Sequence, residues 1–260
     1  MSSQALQQTL PRTARTAPIP FARVILVELR KQTDTRAGFG LLAAITILTG
    51  IGVVTQLWIL EPPALTWENF AAGASIGWGL LLPLIGILAV TGEWSQRSAL
   101  TTFSLEPRRA RVSMAKLVSS LLLGAAMFLA TYAIAAIVNV VGIFAFDGDG
   151  SWRLDANLLA VMAATLIIYV SMGVAFGMLF LNTPLAIVSY LVLPNVFTFL
   201  MLFDGLREAV QWIDVASALM PMLEGTMVGL DWAHLATAVS LWVVLPFVAG
   251  LWRVSRREVA

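Results

Sequence analysis

The chain has 260 residues, of which 59% are hydrophobic and only 12% charged, with a formal net charge of +1. Soluble domains carry about 25% charged residues, so the composition excludes an ordinary soluble domain, and no nucleic-acid partner is expected. With no cysteine in the sequence, neither disulfides nor thiolate metal sites are available.

Residues 1–20 contain no apolar core segment and read as a flexible cytosolic tail rather than a cleaved signal. Phe21–Arg36 follows. Phe21, Val24, Ile25 and Leu29 recur at helical spacing, with Arg23, Arg30, Lys31 and Asp34 mostly opposite. The pattern predicts an amphipathic helix lying in the headgroup plane, apolar face down. A basic stop that only anchors the first span is the alternative.

Six stretches then lack any Lys, Arg, Asp or Glu: Gly38–Leu60, Phe70–Gly92, Leu117–Phe146, Ala156–Leu181, Thr183–Phe203 and Leu235–Trp252. Each is about long enough to cross a bilayer core of roughly 30 Å, which takes about 20 helical residues. In hydrocarbon a backbone must satisfy its own hydrogen bonds, so such stretches become helices. The expected fold is an all-α membrane protein with six transmembrane helices after an N-terminal interfacial helix. The third stretch exceeds what a span needs, which predicts a tilt or a start in the interface.

The connections differ in size. Glu61–Asn69 is short and holds Pro62 and Pro63, Asp147-Gly148-Asp149-Gly150 predicts a turn, and Asn182-Thr183-Pro184 joins the fourth and fifth spans. The larger segment 204–231 repeats Leu206, Ala209, Val210 and Ile213 at helical spacing before Pro221 and Gly225 interrupt. It reads as a short surface or partly re-entrant helix, with an exposed loop as the alternative.

Fourteen of the sixteen basic residues fall on one side of this layout, leaving only Arg153 and Arg207 on the other. Because cytoplasmic loops retain Lys and Arg, both termini are expected in the cytoplasm. Tryptophans agree: Trp58, Trp67, Trp152, Trp212 and Trp232 fall near the outer boundary, and Trp94 and Trp252 near the inner one.

No ionisable side chain lies in the middle of a span. That argues against a proton-driven carrier, which needs a titrating group at depth, and against an intramembrane metalloprotease. His234, beside Trp232, reads as an interfacial residue. There is no Gly-x4-Gly-Lys-Ser/Thr phosphate loop, so neither ATP hydrolysis nor other enzyme activity is expected of this chain. Asn139 and Asn195 are the most polar residues at depth, and hydroxyls such as Tyr190 join them; helix–helix hydrogen bonding is the simpler reading. Asn195 differs because Pro194 removes a backbone donor beside it. That makes Tyr190, Pro194 and Asn195 a possible substrate-path wall. Pro83 and Pro246 are expected to bend their own helices. Gly73 with Gly77, and Gly173 with Gly177, are small-x3-small pairs that favour close helix packing, within or between subunits.

The loop 93–113 is the most specific feature. Glu93 and Arg97 stand at i, i+4 spacing, in the order that supports a helix. Leu100, Phe103 and Leu105 place apolar groups in the cytosol amid charge, as a docking surface would. Pro107 suits the first turn of the next helix, and Arg108, Arg109, Arg111 and Lys116 then meet the membrane surface, where anionic lipid is one partner.

Here the sequence resembles the ABC type-2 permease family, the membrane subunits of ATP-binding-cassette exporters. The matching residues are Glu93-Trp94, Arg97-Ser98, Thr101-Thr102-Phe103, Pro107-Arg108-Arg109, Arg111 and Ala115-Lys116; Arg97 and Ala110 stand where many members have glycine. The resemblance implies that Glu93, Trp94, Arg97, Leu100, Thr101, Phe103, Arg108 and Arg111 couple to a separate ATPase. It also implies that Phe21, Arg23, Glu28 and Arg30 form an elbow helix touching that subunit. Two ATPase subunits, holding ATP and Mg, would join two permeases, alike or different, in a bacterial inner membrane. The second and fifth spans would face a shared path that takes a hydrophobic or amphipathic cargo outward, with no cofactor bound by the chain itself. A stand-alone carrier or channel, and an assembly or immunity protein that moves nothing, stay open as alternatives.

Overall fold

A computed structural model describes residues 19–73 and 75–258. All but two residues of the expected tail, 1–20, therefore lie outside the described residues. Eleven helices, besides a three-residue 3-10 turn at Pro62–Ala64, and no strand occur among the described residues: α1 (Phe21–Asp34), α2 (Arg36–Ile59), α3 (Trp67–Gly73), α4 (Ser75–Ser95), α5 (Ala99–Leu105), α6 (Arg109–Ala145), α7 (Ala156–Phe180), α8 (Thr183–Leu200), α9 (Asp204–Gln211), α10 (Val215–Leu223) and α11 (Gly229–Arg256). Five of them (α2, α6, α7, α8 and α11) are long and apolar enough to cross a membrane. The second expected span, Phe70–Gly92, contains a residue outside the described ones; α3 and α4 flank that residue, and Leu80–Ser95 of α4 is a further apolar helical stretch. At 37 residues, α6 is about 55 Å long, nearly twice the hydrocarbon thickness, so much of it projects beyond one layer or runs tilted.

The expected helix at 21–36 is shorter by two residues. Thr35 has extended backbone, ends α1, and caps α2 by accepting a hydrogen bond from the Gly38 amide at 3.1 Å. Arg36 therefore opens α2. The buried face of α1 is Val24, Glu28 and Gln32, while Leu26 and Val27 point outward. The expected apolar face thus divides, with Val24 buried, Ile25 and Leu29 half-buried and Phe21 exposed, while Arg23, Arg30 and Asp34 opposite are exposed and only Glu28 and Gln32 among the polar residues are closed against the protein.

At the centre α4 lies against α7, whose residues 171–178 are all buried. Small residues set this approach. A side chain on Gly173 would overlap the Pro83 carbonyl, and one on Gly86 would come within 2.5 Å of the Val174 amide nitrogen. The Gly173–Gly177 pair therefore packs within one chain, Gly177 meeting Ile87 and Val90. Gly77 lies where side-chain surroundings are outside the described residues. Around this centre the outward faces are apolar, with Phe39, Ile47, Val188, Phe199, Leu245 and Trp252 among the exposed side chains.

The two ends of the bundle are tied differently. At one, the Asp149 amide donates to the Pro62 carbonyl at 3.1 Å and the Trp67 amide to the Ser151 carbonyl at 3.1 Å. Asn139, fully buried, directs its amide toward the Gly150 and Ser151 carbonyls at 3.5 Å. At the other end α5 lies beside both described ends of the chain. Arg111 donates to the Ile19 carbonyl at 2.5 Å, and Arg109 donates to the Val254 and Arg257 carbonyls at 2.7 and 2.6 Å.

Two expectations about the last third need correction. Pro221 does not interrupt the segment 204–231 but lies inside α10, a helix whose Val215, Ala218 and Leu219 are buried against Phe176, Tyr190 and Trp242. The segment is thus two helices, α9 exposed and α10 packed into the core. The last span starts at Gly229 and contains a π-helical turn, Ser240–Val244, just ahead of Pro246. Proline has no N–H to give the Trp242 carbonyl, and the widened turn accommodates that loss.

Candidate functional site

The residues singled out around 93–113 form a short helix held on a charged base. After α4 ends at Ser95, Arg97 takes a left-handed conformation, φ 56°. Glycine adopts that conformation most readily, and here an arginine takes it. It removes the expected Glu93–Arg97 pair, because Arg97 has left the helix. Ser98 precedes α5, and Pro107 stands just ahead of α6 rather than in its first turn.

Glu93 pairs instead with lysines from two other elements. Lys31 of α1 donates to Glu93 Oε1 and to Glu28 Oε1, both at 2.6 Å, and to the Thr102 hydroxyl of α5 at 3.2 Å. Lys116 of α6 donates to Glu28 Oε2 at 2.6 Å and to the Ala89 carbonyl at 2.9 Å, and lies 3.2 Å from Glu93 Oε2. Glu28, Glu93 and Lys116 are each more than nine-tenths buried. Two carboxylates and two ammonium groups thus close a neutral cluster joining α1, α4, α5 and α6. Burial disfavours the Lys31 charge, but Glu28 and Glu93 outweigh it and hold its pKa above the ordinary lysine value. Beside the cluster, Gln32 donates to the Ser119 hydroxyl at 2.6 Å.

A second set fixes the far end of α5. Glu106 accepts from Arg108 at 3.0 Å and from Arg111 at 2.5 Å. Trp94 and Phe103 lie tilted at 53° with centroids 6.3 Å apart, capped by the Arg257 and Arg109 guanidinium groups at 5.3 and 4.9 Å. Phe103 is therefore half-buried, with less of its ring free than Leu100 or Leu105 has. Leu100 and Leu105 stay open, 54% and 72% exposed, with Thr101 exposed beside them. On α1 the expected contact residues also separate. Arg23 and Arg30 are exposed, Phe21 lies under the Arg111 guanidinium at 5.7 Å, and Glu28 is buried in the cluster where no partner can reach it.

The suggested path residues are brought together in part. Tyr190, Pro194 and Asn195 line a cavity of about 250 Å³ with Tyr169 and Thr198. Asn195 satisfies its amide locally, donating to the Leu191 carbonyl at 2.7 Å. Pro83 is elsewhere, buried with its carbonyl against Gly173. Sequence reasoning, which takes Asp214 for one of the outer carboxylates, missed that it is fully buried close to this cavity. Its carboxylate caps α10 by accepting from the Ser217 amide at 2.8 Å, and accepts from Thr198 at 2.9 Å. The signal was available as an Asp-x-x-Ser cap.

Gly73-Ala74-Ser75-Ile76-Gly77 has the spacing of a Gly-x-Ser-x-Gly nucleophile turn. That chemistry needs a strand running into a helix, whereas here Ser75, Ile76 and Gly77 are helical and the described residues hold no strand. His234 lies edge-on to Trp212 at 4.4 Å. Among the described residues no group of three or more His, Cys, Asp or Glu is placed to hold a metal ion. No family model matches the chain, and no curated protein matches it in sequence.

Proposed function

We propose that this chain is the permease subunit of an ATP-driven exporter of the ABC type-2 kind. In this reading α5 is the coupling helix and seats in a separate ATPase. The observation that carries the proposal is α5 itself, a seven-residue helix with Leu100 and Leu105 exposed, anchored at one end by Glu93–Lys31 and at the other by Glu106–Arg111. A short apolar face on a rigid base can transmit a push. Its anchors lead into α1, α4 and α6 together, so a displacement at α5 reaches the span that α7 packs against. The family resemblance of the same residues supplies the partner, and the proposal includes six spans, cytoplasmic termini and a bacterial inner membrane. Two permeases would face each other across a path that includes the Tyr190–Asn195 wall, with a hydrophobic or amphipathic cargo suited to its largely uncharged lining.

The test is co-purification with an ATPase, followed by measurement of ATP turnover in the complex. Leu100→Asp and Leu105→Asp together should lower transport-coupled turnover about tenfold or more, as removal of a contact hot spot worth roughly 2 kcal/mol does. Phe103→Asp would be a poor probe, because Phe103 is half-buried and its loss would disturb Trp94. Unchanged turnover in the double variant removes α5 from the coupling role. Substrate flux in vesicles holding the purified chain alone would favour the stand-alone carrier.

A further inference from the structure

We infer a second binding site, for a single-chain lipid with an uncharged hydroxylated head, in the partly open cavity bordered by α1, α2, α4, α5 and α6. The cavity measures about 310 Å³, at the low end of the roughly 300–1,000 Å³ that ligand pockets occupy. It therefore suits one chain rather than the two of a diacyl phospholipid. Its walls divide by chemistry. Leu41, Leu42, Ile85 and Leu88 line one part, and Ser98 and Thr101 line another near the α4–α5 turn. An apolar tail against the leucines and a hydroxylated head against the two alcohols matches that division.

The ion cluster selects the charge of the head. Glu28, Lys31, Glu93 and Lys116 all border the cavity, yet they are already paired with one another. Lys31 spends its three N–H donors on Glu28, Glu93 and Thr102. A phosphate head would gain no free cation and would face Glu93; an ammonium head would gain no free carboxylate and would face Lys31. A glycerol-type head meets neither penalty. Gly92 provides a handle on the cavity, since it lines the wall and a side chain added there meets nothing within 4 Å.

The site does not depend on the transport reading, only on the chain residing in a bilayer where such lipids partition. The experiment uses the full-length chain in nanodiscs and a monoacylglycerol carrying a photoactivatable diazirine in its acyl chain, with labelled peptides mapped by mass spectrometry. Label is expected on the peptides containing Leu41–Leu42 and Ile85–Leu88. Unlabelled monooleoylglycerol should compete, whereas lysophosphatidylcholine and lysophosphatidylglycerol should not. Gly92→Leu should fill the cavity and reduce labelling about tenfold, the effect of roughly 1.4 kcal/mol in binding, while Gly92→Ala retains it. Label spread over the outward faces of α2 and α8, equal competition by the charged lysolipids, or full labelling of a folded Gly92→Leu protein would each overturn the site.

Discussion

Four charges in one buried cluster make Lys116 the most consequential side chain at the loop end of the bundle. It reaches Glu28 and Glu93, on two other helices, from a position only 4% exposed. Breaking a buried pair by removing one partner costs roughly 3–5 kcal/mol, because the other charge stays behind without compensation. Lys116→Met should therefore lower the thermal unfolding midpoint of the detergent-purified chain sharply. Adding Glu28→Met should recover much of that loss, since Lys31 and Glu93 remain as a neutral pair. A double variant no better than the single one would mean that Glu28 and Lys116 act independently. Lys116 was visible in the sequence as part of the motif, but it read as a surface charge. Its partner Glu28 lies 88 residues away, and no periodicity reports a contact across that separation. Glu28 itself was expected, from the resemblance, among the elbow-helix residues that touch a partner, not in a buried charge cluster.

Helices were legible wherever hydrocarbon imposes them. Long uncharged runs predicted α2, α6, α7, α8 and α11 to within a few residues, apart from the early starts of α6 and α11, because a bilayer-length apolar run has few other stable states. What failed depended on packing between elements. Nothing local shows that α10 tucks against Trp242, or that the π turn falls before Pro246 instead of a simple bend. The α4–α7 contact sits between these cases: the Gly173–Gly177 spacing was readable, its partner was not. Gly173 faces the Pro83 carbonyl directly, whereas Gly40 in α2 has nothing within 4 Å of where a side chain would start. Gly173→Leu should therefore destabilise the fold by at least the 1–3 kcal/mol typical of overpacking, read as a lower unfolding midpoint and faster proteolysis. Gly40→Leu should leave both unchanged. Equal behaviour of the two variants would show that α4 and α7 do not pack as closely as described.

On the scale of the whole molecule, orientation decides whether α5 can meet an ATPase at all. The hydrogen bonds from Arg109 and Arg111 place α5, Ile19 and Arg257 at one end, and those joining Pro62 to Asp149 and Trp67 to Ser151 mark the other. Fourteen basic residues lie toward the first end in the sequence order and only two toward the second, and on that asymmetry the proposal has α5 in the cytoplasm, by the positive-inside rule. The chain has no cysteine, so a single introduced thiol reports one position without a background. Asp149→Cys and Arg153→Cys should react with a membrane-impermeant maleimide added to intact cells, while Leu105→Cys and Arg257→Cys should react only in inside-out vesicles. Reaction of Leu105→Cys from outside would leave the exposed apolar face of α5 on the side of the membrane that has no ATP, and an ATP-driven mechanism through this helix would be physically impossible. The reversed pattern at all four positions would also reassign the basic residues to the outer surface, against the potential that normally retains them inside. The four thiols thus test the energy source and the insertion rule with one reagent.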